Sequence, residues 1–244
     1  MRFFGKIKAF SGFLPYKINL IKISERIKNM IKISPSLLAA DFATLKEEIQ
    51  KVEKAGAEWL HLDVMDGAFV PNISFGPCVI APLRKHVDAF FDVHLMINEP
   101  IRYLEDYKKA GADGITVHIE ACSDVKATLE KIRALGLKSG LSVKPATPVS
   151  EVLPYLELCD LVLIMTVEPG FGGQKLIPET VIKIKEISDE IKSRGLDIEI
   201  EADGGITPEN IGALVANGLT VAVAGSAVFR APDPEKAILL MKNA

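Results

Sequence analysis

Cysteine is scarce in this chain, and its cysteines are not arranged in pairs. The 244 residues contain Cys78, Cys122 and Cys159, and none belongs to a CxxC motif. This spacing excludes a disulfide framework and a thiolate metal site. Each cysteine is therefore interpreted as a small packing residue, and a reducing compartment, the cytoplasm, is expected.

A long apolar run and a strong charge imbalance are also missing. No apolar stretch is long enough to span a bilayer, so no membrane partner is expected. The formal net charge is −3, and no basic stripe is interleaved with aromatic residues, which argues against a nucleic-acid partner. With 48% hydrophobic residues, the chain can instead bury the core of one large domain.

Acidic residues are nearly absent from the first thirty positions, where Glu25 is the single acid among seven lysines and arginines. A targeting peptide is one interpretation, but the segment is not rich in serine and its apolar residues are too interrupted for a secretory signal. We favour an upstream extension with Met30 as the functional start. The predicted organisation is an extension over residues 1–30 and a catalytic domain over residues 31–244.

Strand-like and helix-like segments alternate eight times from residue 31 onward. The strand-like segments are near-continuous apolar runs, which are typical of parallel strands buried on both faces. Asp41 and Asn210 are predicted helix N-caps, and Gly56, Gly111 and Gly195 fall just past predicted helix ends. The predicted strands cover residues 31–36, 59–63, 90–96, 114–118, 139–143, 161–165, 198–203 and 221–224, with an amphipathic helix over 42–55.

Eight such units in roughly 215 residues predict an α/β protein folded as a single (β/α)8 TIM barrel with a short basic N-terminal extension. A doubly wound open sheet is the alternative. It usually carries a glycine fingerprint after its first strand, but residues 37–41 read LLAAD, and no Walker-type loop is present.

Polar side chains collect at the carboxyl ends of the predicted strands, the face that carries the active site in barrels. His61 and Asp63 are two residues apart on one strand and therefore point to the same side of the sheet. The full set is Ser36, His61, Asp63, His94, His118, Lys144, Asp203 and Ser226.

Four of these residues, His61, Asp63, His94 and Asp203, form a candidate metal site. Imidazoles and carboxylates without thiolates suit one borderline divalent ion, and the ligand types do not choose among Zn²⁺, Fe²⁺, Mn²⁺ and Co²⁺. Such an ion would polarise a substrate oxygen as a Lewis acid.

The two aspartates are also the candidate catalytic residues. Asp63 and Asp203 come from opposite sides of the barrel mouth, and one acid–base group on each face of a carbon is what inversion of its configuration requires. If that carbon lies α to a carbonyl, proton removal leaves an enediolate. The alternative is that both aspartates are ligands only.

Glycine-rich segments follow the sixth, seventh and eighth predicted strands. Their backbone N–H groups can approach an anion closely, and the last loops of a barrel are the usual phosphate site, so a phosphorylated substrate and a mobile lid are expected. Met65, Met96 and Met165 lie at or just past strand ends, where methionines usually fill gaps in the core, although a cluster at the rim could instead form an apolar pocket floor. The loop residues concerned are Gly170, Phe171, Gly172, Gly173, Gln174, Gly204, Gly205, Gly225 and Ser226.

Two further polar residues at strand ends each allow two interpretations. His118 and Glu120 repeat the spacing of His61 and Asp63, so they are either a second metal half-site or, as we prefer, His118 is a histidine that supports the site from behind or packs in the core. Lys144 is either a Schiff-base nucleophile or an ordinary lysine at the rim, and the second interpretation is preferred.

Taken together, these residues resemble the ribulose-phosphate 3-epimerase family from about residue 31 to the C-terminus. Ala68 and Ala202 differ from residues common in the family, but neither replaces a predicted ligand. The motifs that carry the likeness are residues 35–36 (PS) with 40–42 (ADF), 61–67 (HLDVMDG), 69–72 (FVPN), 94–96 (HLM), 165–174 (MTVEPGFGGQ) and 203–206 (DGGI).

The resemblance implies a metal-dependent isomerase that interconverts D-ribulose 5-phosphate and D-xylulose 5-phosphate by two-base proton exchange at C3. It implies that His61, Asp63, His94 and Asp203 hold the ion, and that Asp63 accepts a proton on one face while Asp203 donates on the other. By the same likeness Ser36 and His94 contact the substrate, the three methionines line the pocket, and the glycine loops with Ser226 hold phosphate. A homo-oligomer is also expected.

Three other functions compete with this expectation. A sister epimerase acting on a hexulose 6-phosphate would share the ion and the chemistry. A metal-independent barrel, either a decarboxylase–synthase or an aldolase through Lys144, is less favoured because the synthases carry Asp-x-Lys where this chain has residues 61–63 (HLD). A barrel kept only as a binding module is disfavoured because every predicted ligand is present.

Overall fold

Eight parallel strands run through residues 31–244, the part of the chain that the computed structural model describes. The order in the sheet is β1-β8-β7-β6-β5-β4-β3-β2, and a parallel bridge between Ser36 and His61 brings β2 back towards β1. The sheet is therefore a nearly closed barrel, and the predicted (β/α)8 fold is confirmed. The strands are β1 (Lys32–Ser34), β2 (Trp59–Met65), β3 (Phe90–Met96), β4 (Gly114–His118), β5 (Lys138–Val143), β6 (Leu161–Met165), β7 (Glu199–Asp203) and β8 (Val221–Val223).

Helices connect the strands and cover the outside of the barrel. They bury apolar faces against the strands, as α1 does with Ile49 and Val52, and none in residues 31–244 is long and apolar enough to cross a membrane. The α-helices are α1 (Leu45–Lys54), α2 (Pro77–Leu83), α3 (Leu104–Ala110), α4 (Val125–Ala134), α5 (Val181–Arg194), α6 (Ile211–Ala216), α7 (Ser226–Phe229) and α8 (Pro234–Lys242).

Most helix boundaries follow the local signals in the sequence. The predicted helix over 42–55 begins as a 3-10 turn, capped where the Asp41 carboxylate accepts the Ala43 N–H at 2.9 Å, and continues as α1. Gly56, Gly111 and Gly195 have φ of +94°, +98° and +65° just past helix ends, a conformation that costs glycine little.

The connection between β5 and β6 departs from the predicted alternation. It contains 3-10 segments at Val149–Glu151 and Leu153–Leu158 in place of an α-helix. Pro154 lies near the start of the second segment and has no N–H to donate, so it cannot continue an α-helix begun before it.

Strand register places polar side chains inside the barrel. His61 pairs with Asp92 and Asp63 pairs with His94 across β2 and β3, and β2 extends to Met65, two residues further than predicted. Alternate residues of each strand face the core between sheet and helices, where Leu60, Leu62 and their neighbours are fully buried. The polar residues of the same strands therefore face inward, at the carboxyl end of the barrel.

The predicted extension over residues 1–30, including the proposed start at Met30, lies outside the described residues and stays a prediction.

Candidate active site

A cavity of about 470 Å³ opens at the carboxyl ends of the strands. Asp63 and Asp203 lie at its floor, and the glycine loops after β6, β7 and β8 form its wall. Except for His94, which is fully buried, every residue predicted to contact substrate lines it: Ser36, Met65, Met96, Met165, Gly170, Phe171, Gly172, Gly173, Gln174, Gly204, Gly205, Gly225 and Ser226.

The four predicted metal ligands come together at and just beneath this floor. They belong to β2, β3 and β7, and each has one donor atom within 4.8 Å of those of all the others. His61 Nε2 lies 3.2 Å from His94 Nδ1 and 3.3 Å from Asp63 Oδ1. Asp203 Oδ2 lies 3.8 Å from His61 Nε2 and 3.9 Å from His94 Nδ1. The sequence thus predicted a real spatial cluster, although its residues are up to 142 positions apart (203 − 61 = 142).

A hydrogen bond on the far side of His61 determines which of its ring nitrogens faces this cluster. Its Nδ1 lies 2.6 Å from the Asp92 carboxylate, which can only accept, so Nδ1 carries a hydrogen and Nε2 is the nitrogen that faces the cluster. Burial lowers the pKa of His61, but the charges of Asp63 and Asp92 raise it well above its ordinary value, and Nε2 offers its lone pair to a cation only when it carries no proton. Asp92 was not among the predicted site residues. Its position two residues before His94 placed it on the same face, but only the register shows that it lies opposite His61.

These donor atoms fit a divalent cation. Ligands about 2.1 Å from a tetrahedral ion lie about 3.4 Å apart, and the separations among His61, Asp63 and His94 match this spacing. Four acceptors that face one another with no donor between them repel unless protons or a cation intervene. The cluster is therefore able to hold a divalent cation, and its donor set does not select which one.

The two aspartates have different electrostatic surroundings. Burial raises the pKa of Asp63, but the neighbouring His61 and His94 lower it well below its ordinary value. Burial and the charge of Asp63 raise the pKa of Asp203 to about 7. Without a cation, Asp63 is therefore ionised at neutral pH while Asp203 is partly protonated, as expected for one base and one acid.

Glu201 is a second buried acid that the sequence did not single out. It lies one layer below Asp203 on β7, fully buried, and both its carboxyl oxygens lack hydrogen-bond partners. Burial and the charge of Asp92 raise the pKa of Glu201 well above its ordinary value. The i, i+2 spacing to Asp203 was the available signal.

Close backbone contacts shape the glycine loops. Gly204 and Gly205 have φ of +126° and +66°, and a Cβ on Gly205 would lie 2.8 Å from the Lys175 carbonyl carbon. Asn210 occupies the predicted N-cap position of α6, but its side chain makes no capping hydrogen bond to the helix. Its side chain accepts the Thr207 N–H at 2.8 Å and donates to the Gly205 carbonyl at 2.8 Å, because the loop offers partners closer than the helix end.

His118 and Lys144 lie outside the cavity wall. His118 is fully buried, with Nε2 2.8 Å from His94 Nε2, and burial lowers its pKa to about 4. Lys144 Nζ lies 3.9 Å from the centre of the Phe69 ring. Among the described residues His118 belongs to no group able to hold a metal ion, so the half-site interpretation finds no support in the geometry. Lys144 does not line the cavity, which gives no support to its interpretation as a Schiff-base nucleophile.

The fold and this centre define a class, the (β/α)8-barrel enzymes whose active site is built at the carboxyl ends of the strands. Solved structures with low sequence identity share the fold. A Mycobacterium tuberculosis tryptophan synthase structure aligns with a TM-score of 0.64 at 15% identity, covering 93% of this chain and 97% of that one.

Relatives with high sequence identity indicate the family of barrel enzymes to which this chain is similar. Ribulose-phosphate 3-epimerase of Synechocystis sp. is 49% identical over 218 residues, covering 88% of this chain and 94% of its own. The Bacillus subtilis enzyme of the same name is 48% identical over 210 residues, covering 86% and 97%. The ribulose-phosphate 3 epimerase family matches residues 32–229. The chain belongs to this family and is an isomerase, as the sequence predicted.

Proposed function

We propose that the protein interconverts D-ribulose 5-phosphate and D-xylulose 5-phosphate by proton exchange at C3. The observation that carries this proposal is the approach of Asp63 from β2 and Asp203 from β7 to the floor of one cavity. The names of the relatives in Synechocystis and Bacillus subtilis support the substrate.

Asp63 and Asp203 act as the acid–base pair. Asp63 takes the proton from C3 on one face, leaving an enediolate, and Asp203 gives a proton to C3 on the other face, which inverts the centre. Ser36 donates to Asp63 Oδ2 at 2.5 Å and fixes that carboxylate in the cavity floor. The reverse reaction exchanges the two roles.

One divalent ion, Zn²⁺, Fe²⁺, Mn²⁺ or Co²⁺, would be held by His61, Asp63, His94 and Asp203, whose donor atoms face one another. When bound, such an ion supplies positive charge that stabilises a developing oxyanion. His61 and His94 supply neutral lone pairs, and the two carboxylates balance the charge of the ion.

The glycine loops hold the phosphate of the substrate. Gly204, Gly205, Gly225 and Ser226 line the cavity on the side of β7 and β8, where backbone N–H groups can reach an anion. The loop 170–174 is fastened by Asn72, which donates to the Gly170 carbonyl at 2.7 Å, and Phe171 at its tip is 55% exposed. This loop is the proposed lid, and the three methionines give the pocket an apolar lining.

The first test is epimerisation of D-ribulose 5-phosphate by purified protein before chelation, after chelation and after return of each metal. Activity should disappear with the ion and return with it. Turnover by protein verified to be metal-free would contradict the role of the ion. Absence of turnover at full metal occupancy would favour a hexulose 6-phosphate substrate instead.

A second test separates proton transfer from metal binding by the aspartates. In Asp203→Asn, epimerisation should fall by about 10²- to 10⁴-fold, the usual contribution of a general acid–base group. Asp63 should still exchange the C3 proton of one epimer with deuterium from D₂O, as read by NMR. Asp63→Asn is the matched variant and should retain exchange in the other epimer. Undiminished epimerisation by both metal-loaded variants would show that the aspartates are ligands only.

The remaining expectations are a cytoplasmic location and a homo-oligomer. All three cysteines lie in the described part of the chain and are unpaired, which is compatible with a reducing compartment. Sedimentation of the purified protein would test the assembly.

A further inference from the structure

His118 lies directly behind His94, on the side away from the cavity. The two Nε2 atoms are 2.8 Å apart, the rings are 28° from parallel, and both side chains are fully buried. At this separation one nitrogen carries a hydrogen and the other accepts it. The pair therefore has two possible arrangements, and they differ in which nitrogen of His94 is left free.

Glu120 distinguishes the two arrangements. Its Oε2 lies 3.3 Å from His118 Nδ1, and its Oε1 accepts hydrogen bonds from the Thr147 hydroxyl and, at 2.9 Å, from the Lys144 N–H. Burial alone would raise the pKa of Glu120, but hydrogen bonds from His118, Thr147 and Lys144 lower it to about 2. Glu120 is therefore a carboxylate that can only accept, so His118 carries its hydrogen on Nδ1.

The position of the hydrogen on His118 determines which nitrogen of His94 carries a hydrogen. With Nδ1 protonated, His118 offers the lone pair of Nε2, and His94 donates its Nε2–H to it. His94 Nδ1 then has a free lone pair, and this atom lies 3.2 Å from His61 Nε2 and 3.3 Å from Asp63 Oδ1. The opposite arrangement would set the His118 lone pair against the Glu120 carboxylate, two buried acceptors without a hydrogen between them.

We propose that His118 is a positioning residue of the metal site, which orients His94 and keeps its Nδ1 open to the cation. This inference rests on the metal site proposed above. Asp92 serves His61 in the same way at 2.6 Å. The difference between the two supports is charge, because Asp92 adds a negative charge behind its imidazole and His118 adds none. His118 therefore fixes geometry without adding another anion to a centre that already holds two aspartates.

Metal titration of the full-length protein tests this role without using turnover. Co²⁺ is added to metal-free wild type, His118→Leu and His118→Gln, and binding is followed by visible absorption. His118→Leu should bind Co²⁺ about 10- to 100-fold more weakly, the usual effect of losing such a support. Gln can place an oxygen near the former Nε2, so His118→Gln should recover most of the affinity and the wild-type spectrum.

His86 provides the matched control. His86 is the remaining histidine of the four in the chain. It is exposed and precedes β3, at the end of the barrel opposite the site. His86→Leu should bind Co²⁺ as wild type does. Unchanged affinity and spectrum in a folded His118→Leu would overturn the proposal, whereas failure of wild type to bind Co²⁺ would overturn the metal site itself.

Nitrogen NMR of the wild-type protein loaded with Zn²⁺ gives an answer even if His118→Leu does not fold. The ¹⁵N shifts of the imidazoles should show His118 with hydrogen on Nδ1 and an accepting Nε2, and His94 with hydrogen on Nε2. His118 with its hydrogen on Nε2 would contradict the proposal.

Discussion

Asp63 and Asp203 show how identical side chains acquire different properties. Asp63 is nearly enclosed, receives the Ser36 hydroxyl at 2.5 Å and lies beside two imidazoles. The Asp203 side chain is 17% exposed and lies 3.8 Å from the nearer imidazole nitrogen. Despite its burial, the two imidazoles lower the pKa of Asp63, whereas burial and the charge of Asp63 raise the pKa of Asp203 to about 7. The proposed division into base and acid therefore rests on the neighbours of each carboxylate.

Gly205 is another residue whose role depends on its neighbours. Changing Gly205 to Ala should lower the free energy of unfolding by about 1–3 kcal/mol beyond the cost of its positive φ, because the new methyl group collides with the backbone at Gln174–Leu176. Gly136→Ala is the matched control, since Gly136 has φ +74° and open space around its Cα. Urea unfolding followed by Trp59 fluorescence measures both. Equal losses in the two variants would show that the contact with residues 174–176 is unimportant.

At the scale of elements, the loop after β5 is held by residues from two other elements. Glu120, after β4, accepts from Lys144 and Thr147. Lys183 of α5 donates to the carbonyls of Lys144, Pro145 and Thr147 at 3.2, 2.6 and 2.7 Å. Residues 144–147 are therefore held in place by Glu120 and Lys183. Glu120 also faces His118, so the support of His94 by His118 depends on the same arrangement.

Replacing Lys183 by Met should lower the free energy of unfolding by about 1–3 kcal/mol, because it leaves three carbonyls of the loop without their charged donor. Lys185→Met on the same helix is the control. Lys185 is exposed and pairs only with Asp189, four residues away, so its loss should cost about 0.5 kcal/mol or less. Urea denaturation of the two variants under identical conditions gives the comparison, and a smaller loss at Lys183 than at Lys185 would refute it.

At the scale of the whole molecule, the barrel from residue 31 onward contains its own core. The strands and helices of residues 31–244 enclose one continuous set of buried apolar side chains, and Ile238 and Met241 of the last helix complete it. Lys242 also donates to the Gly56 carbonyl at 2.7 Å, which ties the end of the chain to the start of β2. The C-terminal helix is thus fastened to the barrel.

A chain that begins at Met30 should therefore unfold with the same free energy as the full-length protein, within about 0.5 kcal/mol, and keep its epimerase activity. A chain that ends before α8 should lose several kcal/mol, about 2 for each large side chain that becomes exposed. Urea unfolding midpoints and turnover rates of the full-length protein and the two shortened chains test both expectations. A marked loss of stability on removing residues 1–29 would mean that the extension is part of the fold.

The sequence by itself determined the fold class, the order of the strands and the residues of the candidate centre, because apolar runs, glycine punctuation and i, i+2 spacing are local patterns. It also placed the glycine loops and the methionines, which line the cavity as predicted. The replacement of one helix by 3-10 segments and the position of the Asn210 side chain were missed. Both features depend on which hydrogen-bonding partners a residue meets in the folded chain, and local sequence patterns do not show this.

Only the tertiary structure decided how the centre is supported. Asp92 behind His61, His118 behind His94 and the buried Glu201 follow from strand register and from barrel closure. A one-residue change of register would turn these side chains to the other face of the sheet, and no single strand carries that information. The chemistry of each residue is thus written in the sequence, whereas its pKa and its hydrogen-bonding partner depend on which strands lie beside it.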